Sequence, residues 1–145
     1  MKNIRYFIIF LTFIAGIASC SKQDCNGDLD GMWQLIEWKD SEGSVIATKA
    51  DKIFYSFQLQ MMRFDRKTTP GLYCLSSFEY QGDRIRIFRP ITVDSENPGH
   101  DRVHEMSYLS PVGVPSDGVM HIDRLSSTEL VLSSTDTGVL QFRKY

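Results

Sequence analysis

The sequence predicts an all-β domain, an antiparallel meander closed into a barrel of about eight strands. Three observations carry this expectation. Short runs of β-branched and aromatic residues recur through residues 29–145, separated by turn signals. Apolar and polar residues alternate at a period of two, most clearly over residues 53–64, where Ile53, Tyr55, Phe57, Leu59 and Met61 share one face and Ser56, Gln58 and Gln60 the other. No amphipathic helical pattern of useful length interrupts these runs. Closure has a physical motive, because a meander left open exposes unpaired edges.

In chain order, residues 32–38 (MWQLIEW) form the first strand, apolar on both faces, with Trp33 and Leu35 on one and Met32, Ile36 and Trp38 on the other. Residues 53–64 read as one long strand. Residues 72–80 follow, with Leu72, Cys74, Phe78 and Tyr80 in phase, then the turn Gln81-Gly82-Asp83 and residues 84–88, where Arg84 and Arg86 alternate with Ile85 and Ile87. These two strands predict a hairpin. Residues 119–125, 129–134 and 139–145 repeat the pattern across the turns Ser126-Ser127-Thr128 and Thr135-Asp136-Thr137-Gly138. Between them, residues 90–118 hold four of the five prolines, and a connection of that length is functional or disordered. Tyr108-Leu109 and Val112-Gly113-Val114 offer an eighth short strand, and residues 101–106 one turn of helix.

The first twenty residues read as an address. Lys2 and Arg5 form a positive n-region, and residues 6–18 a 13-residue apolar stretch, the length of a signal-peptide h-region and short of a spanning helix. The stretch ends in Ile17-Ala18-Ser19-Cys20, which resembles a bacterial lipobox. The resemblance implies removal of residues 1–19, a diacylglycerol on Cys20 and a tether over residues 20–28. Two acyl chains at ~0.8 kcal/mol per buried CH₂ give on the order of 20 kcal/mol, effectively permanent anchoring. An ordinary secretory cut near Ala18-Ser19 is the alternative. Ser21, in place of the Asp that marks inner-membrane retention, points to the outer membrane. Lys22-Gln23-Asp24 only partly resembles a surface-export signal, so the leaflet stays open.

With 16 Lys and Arg against 18 Asp and Glu, the net charge is −2, and loss of Lys2 and Arg5 leaves 14 basic residues and a net charge of −4. That balance argues against a nucleic-acid binder. Cys25 and Cys74 leave a disulfide or two free thiols equally open, and the absence of C-x-x-C points to neither a redox motif nor a zinc site.

Leu29-Asp30-Gly31-Met32-Trp33-Gln34-Leu35 has the form L-x-G-x-W-x-L, and with the closing strands the chain resembles the lipocalin-like domains of bacterial lipoproteins, within the calycin group. The resemblance covers residues 29–145. It implies a barrel with Gly31 at the start of the first strand and Trp33 packing the closed end. It also implies a small hydrophobic or amphipathic ligand, for which Trp33, Tyr55, Phe57, Leu59, Met61 and Phe78 are the candidate lining residues, with a packed core as the competing reading. The alternative function is an interaction module with a solid barrel, docking another envelope protein through residues 90–118.

Catalytic candidates are weak. His100 and His104 are four apart, with Asp101 and Glu105 beside them, but the order is not H-E-x-x-H. His121 falls on a strand, Cys74 would need His104 or His121 nearby, and no G-x-S-x-G elbow or Gly-rich phosphate loop occurs. The expectation is a binding protein without enzymatic role, cofactor or metal.

Overall fold

Ten strands, all paired antiparallel, account for most of residues 25–145, the part of the chain that the computed structural model describes. They are β1 (Gly31–Lys39), β2 (Val45–Thr48), β3 (Ile53–Gln58), β4 (Met61–Arg66), β5 (Leu72–Tyr80), β6 (Arg84–Thr92), β7 (Arg102–Val103), β8 (Val119–Leu125), β9 (Glu129–Ser134) and β10 (Gly138–Lys144). The proposed signal peptide, Cys20 and the start of the tether lie outside the described residues. Three short 3-10 turns, Gly27–Leu29, Lys49–Asp51 and Met106–Val112, complete the elements. None of the described helices is long and apolar enough to cross a membrane.

The strands close into a ring in the order β1-β3-β4-β5-β6-β8-β9-β10, and β10 returns to β1 through pairs running from Trp33↔Lys144 to Lys39↔Val139. The eight-stranded closed barrel is the architecture expected from the sequence. β2 pairs with the far half of β1, and β7 with the end of β6.

Inward positions follow the pleat. Trp33 and Leu35 of β1, Tyr55 and Phe57 of β3, Met62 and Phe64 of β4, Cys74 and Phe78 of β5, and Leu140 and Phe142 of β10 are all buried. A bulge between Leu35 and Glu37 shifts the phase of β1, so Trp38 also turns inward, its Nε1 donating to the Thr137 carbonyl at 2.6 Å. Within the core, Tyr55 packs edge-on against Phe64 at 4.8 Å between ring centres, and Phe57 against Phe78 at 5.4 Å.

Four expectations need correction. Residues 53–64 are a hairpin: Leu59 and Gln60 form a two-residue loop between β3 and β4, with Gln58 paired to Met61. Inward phase passes from odd residues (Tyr55, Phe57) to even ones (Met62, Phe64), so the apolar face ends at Phe57 and both Leu59 and Met61 are exposed. β2 was not predicted; two of its three apolar residues, Val45 and Ile46, are exposed. The eighth barrel strand is β4, whereas Tyr108-Leu109 belong to the 3-10 turn over Met106–Val112. Residues 101–106 hold β7 instead of a helical turn. In addition, β6 runs four residues beyond its expected end, because a bulge with Arg89 at φ 54 carries the strand through the buried Pro90.

The proline-rich segment is a plug. Leu109, Val112 and Val114 are at most 1% exposed, and they fill the barrel end at which Trp38 and Gly113 meet. The opposite end is covered by Leu29, fully buried beside Trp33. Tyr55 ties the plug in place, its hydroxyl donating to the Val112 carbonyl at 2.6 Å, and burial pushes its pKa far above the ordinary tyrosine value. The unfolded chain releases this proton near pH 10 while the folded chain keeps it, so the stability it supports is whole below pH 10 and lost as pH rises, by up to about 1.4 kcal/mol per pH unit. Tyr55→Phe leaves the Val112 carbonyl unpaired, at a cost of about 1–3 kcal/mol at pH 7. Urea denaturation at pH 7 and pH 11 is expected to give a smaller difference between the two proteins at the higher pH.

Candidate functional site

Four of the six candidate lining residues, Trp33, Tyr55, Phe57 and Phe78, lie inside the barrel at 0–2% exposure, in ring-to-ring or side chain-to-backbone contact. Their polar handles are already committed: Trp33 Nε1 donates to the Leu29 carbonyl at 2.9 Å, and Tyr55 to Val112. One inward polar group stays unmatched. Ser76 is fully buried on β5, and its hydroxyl makes no hydrogen bond. Beside it, Cys74 directs its thiol to the carbonyls of Leu75 and Ile91, and burial pushes the thiol pKa up. The backbone of Ile91 pulls it partly back. Cys25 is exposed and Cys74 buried, and both are free thiols.

Leu59 and Met61 instead border an open groove of about 630 Å³ on the outside of the barrel, near the described N-terminus. Its floor is a cross-strand row. Met32 pairs with Ser56, Ser56 with Arg63 and Arg63 with Leu75, so one outward residue from each of β1, β3, β4 and β5 lies side by side. Tyr73 stands at the margin, half exposed. Arg63 is partly buried. Its Nη2 lies 3.4 Å from Ser56 Oγ, its Nε is shut off from solvent with no hydrogen-bond partner, and it forms no ion pair among the described residues. A guanidinium held among Met32, Met61 and Leu75 without an ion pair suits a carboxylate or phosphate group. Sequence reading missed Arg63, because an arginine on the polar face of a strand reads as a solvated residue until the register places it between apolar neighbours.

The first strand opens as the G-x-W pattern implies. Gly31 has φ 119, and a Cβ there would sit 3.0 Å from Lys144 Cε. Lys144 crosses at that point to lay its ammonium 4.4 Å from the centre of the Trp33 ring, while donating to the Asp28 and Asp30 carbonyls. A family model described as a lipocalin-like domain matches residues 13–145.

The chain belongs to the lipocalin-like family.

A lipocalin-like protein from Bacteroides uniformis is 24% identical, with a TM-score of 0.58 over 82% of this chain and 100% of its own. An uncharacterized protein from Bacteroides eggerthii is 26% identical, with a TM-score of 0.57 over 81% of this chain and 99% of its own. No curated protein matches.

In this lipocalin-like barrel the histidine cluster does not assemble as a helical pair. His104 stacks on Tyr108 at 3.9 Å and shares a 2.8 Å hydrogen bond with Thr92 Oγ1, while His100 is exposed in the loop beyond β6. Nearby, Asp94 accepts the backbone N–H groups of Asn97 and Glu96, and these bonds, that from Asn97 foremost, hold its carboxyl below the usual range. No group of three or more His, Cys, Asp or Glu side chains among the described residues could hold a metal ion. Arg84, Arg86 and Arg89 are exposed along the outside of β6.

Proposed function

We propose that the protein is a lipid-anchored, lipocalin-like binding module of the cell envelope, held at the outer membrane through Cys20. It takes a small amphipathic anion in the outer groove rather than a ligand in the barrel interior, and has no catalytic role. The observation that carries this reading is Arg63, a partly buried guanidinium that lines the groove on an apolar floor and makes no ion pair among the described residues. Desolvated positive charge beside Met32, Met61 and Leu75 favours a molecule with an acidic head and an apolar body.

Dodecanoate binding followed by titration calorimetry tests the groove. A hydrogen bond to a charged group contributes about 1.5–3 kcal/mol, so Arg63→Met is expected to weaken dodecanoate binding by roughly 10- to 150-fold. The affinity for dodecanol should stay within a factor of about two, since the apolar lining is kept. Equal dodecanoate affinity in the two proteins would remove the groove from consideration.

The filled interior supports a second reading, in which the barrel docks another envelope protein. The exposed Val45 and Ile46 on β2 are the surface for that contact. Photo-crosslinking from position 46 in cells separates the readings, since a protein adduct there favours docking.

A further inference from the structure

We infer that the face of the barrel carrying Leu59, Met61 and Tyr73 rests on the bilayer in which the protein's own N-terminal lipid is embedded. The inference rests on the anchor reading at Cys20, and three observations on the described residues carry it further.

The first is the side chain at the β3–β4 turn. Leu59 is the first of the two loop residues and has φ 56. Two-residue hairpins give such positions to Gly, Asn or Asp, and an ordinary L-residue there costs roughly 1–2 kcal/mol. The Leu59 side chain is nevertheless 53% exposed, so core packing does not repay its strained backbone. Met61 is 40% exposed and Tyr73 49%, and both border the same groove. Three large apolar or amphipathic side chains thus share one face.

The second is the place where the chain enters the fold. Asn26 donates through Nδ2 to the Leu59 carbonyl at 2.8 Å and to Asp30 Oδ1 at 2.6 Å, and its backbone N–H reaches Asp30 Oδ2 at 3.1 Å. The entering chain is therefore pinned to the turn that presents Leu59. Cys20 lies six residues before Asn26. A chain spans at most roughly 3.6 Å per residue, so the acylated residue stays within about 22 Å of Asn26.

The third is the position of the exposed apolar pair on β2. Val45 and Ile46 are 52% and 50% exposed, but Val45 pairs with Lys39 at one end of β1, whereas Phe57 pairs with Gly31 at the other. Eight residues of strand at ~3.3 Å each separate the two ends by about 26 Å. The anchor therefore holds the Leu59 end toward the lipid and the Ile46 end away from it. Without Lys2 and Arg5 the chain has a net charge of −4, so its general field opposes an anionic leaflet. The contact is accordingly apolar.

The test uses the full-length acylated protein reconstituted in vesicles of phosphatidylethanolamine and phosphatidylglycerol, with or without brominated acyl chains. Native Trp33 and Trp38 are buried and supply a constant background. Leu59→Trp is expected to add emission that is blue-shifted and quenched by the brominated lipid, and Ile46→Trp emission that is neither. Met61→Trp gives the same readout should Leu59→Trp fail to fold. Equal quenching at positions 59 and 46, or none at either while mass spectrometry finds the acyl group on Cys20, overturns this orientation and leaves the anchor standing. Absence of the acyl group overturns the anchor and the orientation together. Emission at position 59 that ignores the vesicles but shifts on adding dodecanoate assigns the face to a soluble ligand and also overturns the orientation.

Discussion

Trp33→Ala is expected to lower stability by about 3–5 kcal/mol, the range for truncating a buried tryptophan. The loss has three parts. The side chain is fully buried beside Leu29, so its removal leaves a cavity at the end of the barrel where β1 begins. Its Nε1 bond to the Leu29 carbonyl disappears, releasing the 3-10 turn over Gly27–Leu29. Lys144 loses the ring beneath its ammonium, loosening the last residues of β10. Trp33→Phe keeps an aromatic ring and should cost less, about 1–2 kcal/mol for the lost bond and weaker cation contact. Guanidinium denaturation of the three proteins gives these values through shifts in midpoint. Since a domain of this kind has only about 5–15 kcal/mol in total, Trp33→Ala removes a large share of its stability.

Gly138→Ala is expected to cost about 3 kcal/mol or more, because the added methyl collides with the backbone of Lys39 and Asp40. Gly138 has φ 81, and a Cβ there would lie 2.2 Å from the Lys39 carbonyl oxygen, 2.5 Å from the Asp40 carbonyl carbon and 2.8 Å from Asp40 Cα. No rotamer relieves such a collision, so β10 must move off β1 at the seam that closes the ring. Gly43→Ala separates the steric part from the conformational one. Gly43 has φ 86, but a Cβ there meets nothing within 4 Å. It should cost only the left-handed backbone strain, about 1–2 kcal/mol. Similar losses at the two positions, measured by thermal unfolding, would argue against the collision.

The barrel was legible where a turn residue marked each strand's end. Gln81-Gly82-Asp83 and Ser126-Ser127-Thr128 separate strands whose apolar phase is regular, and β5, β6, β8 and β9 lie within a few residues of expectation. The β3–β4 boundary was hidden because Leu59-Gln60 carries no turn chemistry and Leu59 happens to extend the odd apolar phase. The rephasing at Met62 and Phe64 was the available signal. β2 escaped because Val45 and Ile46 face solvent, and the plug looked extended because Leu109, Val112 and Val114 are apolar without a helical period.

The candidate site divides the same way. Parity along single strands places Trp33, Tyr55, Phe57 and Phe78 inside, and the structure buries all four. The groove depends on registers between strands. Met32, Ser56, Arg63 and Leu75 become neighbours only when four strands are aligned, and no local pattern encodes that alignment.

The seam between β1 and β10 joins Trp33 to Lys144, nearly the two ends of the domain. A polypeptide delivered amino end first, from a ribosome or through an export channel, carries its opening strand for the whole of that passage with one edge unsatisfied. Ring formation must therefore wait until β10 has emerged, and contacts so distant in sequence make folding slow. During that interval the exposed edge is a natural target for a holding chaperone, and loss of β10 would leave the product unsealed.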